Sequence, residues 1–323
     1  MFGTKLFLIA SVLSFSLAAQ DAAVELRKLL NSTPRLPVEE VPLADRIPNA
    51  VSLGTVSSVA ADRNGVIYIL QRGDKADPVI AVNHEGQVLR SWGKGMYTVP
   101  HSIRIDPDGN IWTVDAGSSV LLKFSPEGKK LQEIAVGEVA PANKCAFPTL
   151  CGTTDVTFGP NGRLFISDGY GNARILEYNS AGQRIRVWGS AGNGPGQFVI
   201  PHGIANDGRV LYVADRQNAR IQRFDLDGHY LGEWTHLGRP FALKIVNGSL
   251  WVALMTLEPG GRGQEARPSP WMIKVDPSNG KVLGQVPAPG PHSIDVSDGE
   301  ELFGSGCCGG SNPNGFSWLR RNR

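Results

Sequence analysis

The 323-residue chain carries little charge and almost no surplus of either sign, with 32 Lys and Arg against 30 Asp and Glu. Its basic residues are scattered and form no stripe, which removes nucleic acid and anionic membrane surfaces from the expected partners. Beyond the first residues no apolar run is long enough to cross a bilayer, so no membrane span is expected in the mature chain. Cysteine is scarce, at four. Cys145 and Cys151 flank AFPTL and could close a short loop. Cys307 and Cys308 are adjacent, where a mutual bond is strained, so they stay reduced or pair elsewhere; three pairings of the four remain open.

What is present begins with MFGTKLFLIASVLSFSLAA, a short apolar run behind one lysine and ending in small residues. Residues 1–19 therefore read as a secretory signal, and the mature chain is expected to be exported, to a periplasm or outside the cell. Residues 20–50 hold a short helical stretch, AAVELRKLL, and a proline-punctuated extended arm, RLPVEEVPLADRIPN. From residue 51 to 323 the chain repeats. The segments GTTDVTFGPNGRLFISDGYGNARILEY and PHGIANDGRVLYVADRQNARIQRF share one order: strand, Gly-containing turn, strand, then a strand opening on Asn-Ala-Arg-Ile. Further units start near SSVAADRNGVIYIL, HSIRIDPDGNIWTVD, FALKIVNGSLWVALM and HSIDVSDGEELFGS, at intervals of about 40–50 residues, the period of a four-stranded propeller blade. The reading is an all-β, six-bladed β-propeller with a short N-terminal arm, forming one domain and expected as a monomer. One chain terminus is expected to supply an outer strand missing from the first blade.

Three of the six histidines stand in one setting, VPHSI, IPHGI and GPHSI. His101, His202 and His292 fall in the second, fourth and sixth units. The other units carry Ser57, Thr154 and Phe241 at the matching place. First strands line a propeller's central channel, so alternate blades about 120° apart would bring the three imidazoles together. Three neutral nitrogens with an open position are the donor set of a catalytic zinc. The plainer reading has each histidine bonded to neighbouring carbonyls or channel water. His84, His229 and His236 fall in outer turns, where solvation is expected.

The shared NARI places Tyr170 and Arg216 in one slot of consecutive blades, just after the second strand, and Arg72 follows the corresponding strand of the first unit. A phenol beside a metal or cation can serve as a base, and two guanidiniums suit a substrate carboxylate. The competing readings are packing of Tyr170 on a turn and surface ion pairs of Arg72 with Asp74 and of Arg216 with Asp215.

The Arg-Gly-Asp stretch at Arg72, then PHSIRIDPDGNIWTVD, TDVTFGPNGRLFISDGYGN, PHGIAN with LYVADRQNARIQRF, and PHSIDVS resemble, in that order, the peptidyl-α-hydroxyglycine α-amidating lyases, zinc-containing six-bladed propellers of the NHL-repeat type. The resemblance covers most of the chain after about Val51. It implies cleavage of the N–C bond of a peptidyl-α-hydroxyglycine into an amide and glyoxylate, with His101, His202 and His292 holding zinc, Tyr170 as base, and Arg72 and Arg216 orienting the carboxylate. It also implies a nearby calcium held through the main-chain oxygens of Val59 and Ile103 and an aspartate after the third histidine. Here that position is Ser293, a poorer ligand for a hard cation.

Two other functions fit the same repeat. An exported propeller can act as a binding scaffold without chemistry, using the Pro/Gly-rich excursion LEPGGRGQEARPSPW as a recognition loop or lid. A metal-dependent hydrolase of small esters or lactones keeps the metal and changes the reaction.

Overall fold

The computed structural model describes residues 24–137, 150–258, 267–288, 292–306 and 316–322. The signal at 1–19 lies outside the described residues, as do Cys145, Cys307 and Cys308 and the pairings weighed for them. The tip of the fifth-unit excursion, 259–266, lies outside them too.

Six four-stranded antiparallel sheets account for the repeat. The first blade holds Val56–Ala61, Ile67–Gln71, Val79–Val82 and Val88–Trp92, and the second Pro100–Ile105, Ile111–Asp115, Val120–Phe124 and Lys130–Ala135. The third comprises Asp155–Phe158, Leu164–Asp168, Arg174–Tyr178 and Arg184–Trp188, and the fourth Pro201–Asn206, Val210–Asp215, Arg220–Asp225 and Tyr230–Trp234. The fifth comprises Arg239–Val246, Ser249–Glu258, Arg267–Val275 and Val282–Pro287. Among the described residues the sixth has three strands of its own unit, Ser293–Val296, Leu302–Ser305 and Phe316–Arg321.

Ring closure differs from the sequence expectation. The first blade is complete, and the arm strand Val38–Val41 forms the outer strand of the sixth, pairing antiparallel from Val38 with Arg321 to Val41 with Trp318. The physical reason is that the last unit, not the first, is one strand short, so Phe316–Arg321 would otherwise be an open edge. The arm is then fastened from inside, with Val41, Leu43 and Ile47 buried against Val56, Phe303 and Trp318. The helix over 24–32 docks Leu26 and Leu30 on the core between the fourth and fifth blades.

Local sequence explains the strand turns. In DPDGN the Asp106 carboxylate accepts the N–H groups of Asp108 and Asn110, and Gly109 takes φ 86°, the left-handed conformation that a non-glycine residue adopts only at a cost. Between blades the apolar faces bury one another, as where Val114, Leu121 and Ile134 meet Val156, Ile166 and Leu176.

Candidate metal centre and substrate pocket

The start of the first strand explains the Pro-His motif. In the first, second, fourth and fifth blades the ladder to the second strand shifts register at this point, for example between Pro100 and Ser102 and between Pro201 and Ile204. The shift leaves Ser57, His101, His202 and Phe241 in the bulged stretch. A bulge re-aims a side chain out of the pleat, here into the channel, and a proline at the head of the strand forfeits no ladder bond.

The channel gathers the three imidazoles. Ring centroids are 5.0 Å apart for His101 and His202, 4.7 Å for His101 and His292, and 5.0 Å for His202 and His292. All three are buried, and the nearest ligand atoms lie within 4.8 Å of one another. Each ring is oriented by the matching residue of the next blade: Nδ1 of His101 faces the Thr154 carbonyl at 2.6 Å, that of His202 the Phe241 carbonyl at 2.7 Å, and that of His292 the Ser57 carbonyl at 3.1 Å. A carbonyl oxygen only accepts, so each Nδ1 carries the proton and each Nε2 presents a lone pair inward.

The Nε2 atoms are under-supplied with protons. The Tyr170 hydroxyl lies 2.9 Å from Nε2 of His101 and 3.0 Å from that of His202, and its single proton serves one at a time. Nε2 of His292 is buried with no hydrogen-bond partner among the described residues. Burial holds all three pKa values below the ordinary imidazole range, that of His292 at about 3, with the Arg216 charge adding to the effect at all three and the Arg72 charge at His101 and His292. Three neutral, carbonyl-oriented nitrogens sharing one proton fit a Lewis-acidic metal ion, and zinc matches the donor set.

Around this centre the turns after the second strands are braced. Asp168 takes Arg174 and Asp215 takes Arg220, both at 2.8 Å, with Asn172 and Asn218 bonded to the same two carboxylates. These bonds account for the repeated Asn-Ala-Arg and hold the turns that carry Tyr170 and Arg216; sequence reasoning aligned the motif without seeing that it pairs with the preceding aspartate. In the first blade Gln71 plays this part, bonding Gly54, Gly73, Ala76 and Asp77 main-chain groups around Arg72.

The structure brings Arg72 and Arg216 toward the histidines. The Arg216 guanidinium lies 5.5 Å from the Tyr170 ring and 5.1 Å from that of Phe241, with Nε buried and unpartnered among the described residues. Arg72 donates Nε–H to the Pro100 carbonyl at 3.0 Å and leaves Nη2 buried without a partner among the described residues. Neither has a carboxylate partner among the described residues, and Asp215 is committed to Arg220. Of the remaining histidines, His229 is solvated beside Asp225, His84 lies half-exposed near Glu301, and His236 bonds the Gly280 carbonyl from an exposed position.

Calcium fits poorly. The Ser293 hydroxyl is bonded to Ser58 at 2.8 Å, and the Ser58 hydroxyl also accepts the Ile103 N–H. Asp295, the nearest carboxylate in sequence, is held by Lys244 at 2.6 Å and by the Ala61 N–H at 2.8 Å. The cavity beneath the histidines measures about 10 Å³, one water at most.

A family described as a six-bladed β-propeller matches residues 154–241. The chain is 32% identical over 234 residues to a mouse peptidyl-glycine α-amidating monooxygenase, an alignment covering 62% of this chain and 24% of that protein. It is 27% identical over 227 residues to a probable peptidyl-α-hydroxyglycine α-amidating lyase of Caenorhabditis elegans, covering 59% and 64%. The chain thus spans about a quarter of the mouse protein's length. A streptogramin B lyase structure superposes with a TM-score of 0.58 over 88% of this chain and 97% of that one at 14% identity, a likeness of fold.

Proposed function

We propose that the chain is an amidating-lyase-like NHL-repeat β-propeller, supported by its likeness to that group, and that it is an exported zinc-dependent lyase acting on a carboxylate-bearing carbinolamide of the peptidyl-α-hydroxyglycine type. The observation that carries the reading is the meeting, at one end of the channel, of three inward Nε2 atoms, the Tyr170 hydroxyl and two guanidiniums with unpartnered N–H groups. His101, His202 and His292 would hold the zinc, which when bound supplies Lewis acidity to a substrate hydroxyl.

The residues divide the rest of the work. Arg72 and Arg216 bind the carboxylate through donors already desolvated, which orients the carbinol carbon toward the histidines. Tyr170, placed between two imidazoles and facing Arg216, takes the hydroxyl proton. The C–O bond becomes a carbonyl, the C–N bond breaks, and the departing amide nitrogen takes up a proton, so the products are an amide and glyoxylate with no net proton change.

The test uses the zinc-loaded chain and α-hydroxyhippurate, with glyoxylate and benzamide as readout. Stoichiometric release is expected. Tyr170→Phe should slow turnover by about 10²–10⁴-fold, the usual range for a lost general base, at unchanged zinc content. Zinc loss in that variant would overturn the role given to Tyr170. No release from a zinc-reconstituted wild-type chain would overturn the lyase reading and favour the binding scaffold.

A further inference from the structure

Beneath the histidines the channel is closed by a charged cluster that the lyase reading does not use. Arg104 stands three residues after His101 and is buried. Its guanidinium grips Asp155 through two bonds, Nε to Oδ1 at 2.9 Å and Nη2 to Oδ2 at 2.5 Å. It also donates to the carbonyls of Ile294 at 2.8 Å and Leu243 at 3.4 Å. One side chain therefore ties the second, third, fifth and sixth blades across the axis. Arg104 also borders two spaces in the channel, the small cavity under the histidines and the funnel of about 1440 Å³ at the opposite mouth.

The level at which this cation sits is informative. Leu243 and Ile294 lie two residues after Phe241 and His292, as Val59 and Ile103 lie two after Ser57 and His101. The guanidinium is thus bonded to main-chain oxygens of the slot to which the family resemblance assigns calcium. The cluster is also balanced, with Arg104 and Lys244 against Asp155 and Asp295. A divalent ion added here would face a guanidinium with no spare carboxylate.

The same bonds reach the residues flanking each metal ligand. Asp155 follows Thr154, whose carbonyl orients His101, and it accepts the hydroxyl of Ser102 at 2.6 Å and the Ile204 N–H at 3.4 Å. Ile294 lies two residues after His292.

We propose that the Arg104 guanidinium is the built-in axial cation of this propeller, standing where a calcium ion would and acting as a positioning residue that sets the spacing of His101, His202 and His292. The second half rests on the zinc reading; the first does not.

Two measurements test it. After equilibration in millimolar calcium chloride and desalting, the wild-type chain should retain no calcium, and its melting temperature should be the same in calcium and in a calcium chelator. One calcium per chain with a raised melting temperature would overturn the proposal. In the second, Arg104→Gln is titrated with zinc against a competing chelator. Affinity should fall by about 10–100-fold, the usual effect of removing a group that orients metal ligands, while circular dichroism keeps its wild-type form. Wild-type affinity in the folded variant would overturn the positioning role. Where Arg104→Gln does not fold, Arg104→Lys carries the same reading, since it keeps the charge and loses the fork; undiminished affinity there overturns the positioning role. A wild-type chain that holds neither metal defeats the zinc reading and leaves the axial cation standing, whereas one that holds both does the reverse.

Discussion

At the residue scale, three imidazoles kept neutral by burial couple the centre to pH. Free imidazole titrates near pH 6.5, and burial lowers each of the three in the folded chain, His292 to about 3. Below about pH 6.5 the unfolded chain therefore binds protons that the folded chain refuses. For the metal-free protein, stability is fully present above that value and is lost as pH falls toward the folded pKa values, by about 1.4 kcal/mol per pH unit for each histidine. Urea unfolding between about pH 8 and pH 5 should show this slope, and His202→Gln should reduce it by about a third. An identical slope in the variant would mean that other groups carry the dependence. The histidines and Tyr170 were legible in the sequence because repeated motifs put them in register. Arg104 was not: in HSIRID it alternates with isoleucines as an outward-facing strand residue would, and Asp155 in TTDVTF reads as a strand opening. Only closure of the ring shows that both face the axis.

At the scale of the element, the arm is a structural part of the last blade. Val38–Val41 contains two glutamates between two valines, with no Gly turn and no repeat partner nearby, so its sequence does not reveal which edge it covers. The blades themselves were legible because each carries its own turn chemistry, whereas this pairing joins opposite ends of the chain and depends on which unit is short. The arm is held by its ladder with Phe316–Arg321 and by the buried side chain of Leu43. Leu43→Ala should cost about 2–5 kcal/mol, the range for emptying a well-packed leucine site. Removing the chain through residue 41 should do something different in kind, exposing the Phe316–Arg321 edge to other molecules. Thermal melting checks the first, and sedimentation of the shortened chain, with association expected, checks the second. A shortened chain that stays monomeric with wild-type melting would show that the arm strand is dispensable.

Across the whole molecule, the three channel histidines come from the second, fourth and sixth blades, so a metal held by them would join every other blade at the axis while the arm joins the ends at the rim. These two closures respond to different variables. The arm's contribution is fixed by its packing, whereas that of a ligand binding only the folded ring grows with free concentration, reaching about 4 kcal/mol at a thousand times Kd. Wild-type melting should therefore rise with free zinc in a metal buffer and drop when zinc is chelated. His292→Ala, which removes one of the three ligands, should melt at nearly the same temperature with and without chelator. Leu43→Ala should melt lower than wild type yet keep the full zinc response, because the arm packs at the rim, where its strand is the outer strand of the sixth blade. If chelation leaves wild-type melting unchanged after zinc loading, the ring is held by packing and the arm alone, and the three Nε2 atoms serve the channel as polar groups without metal.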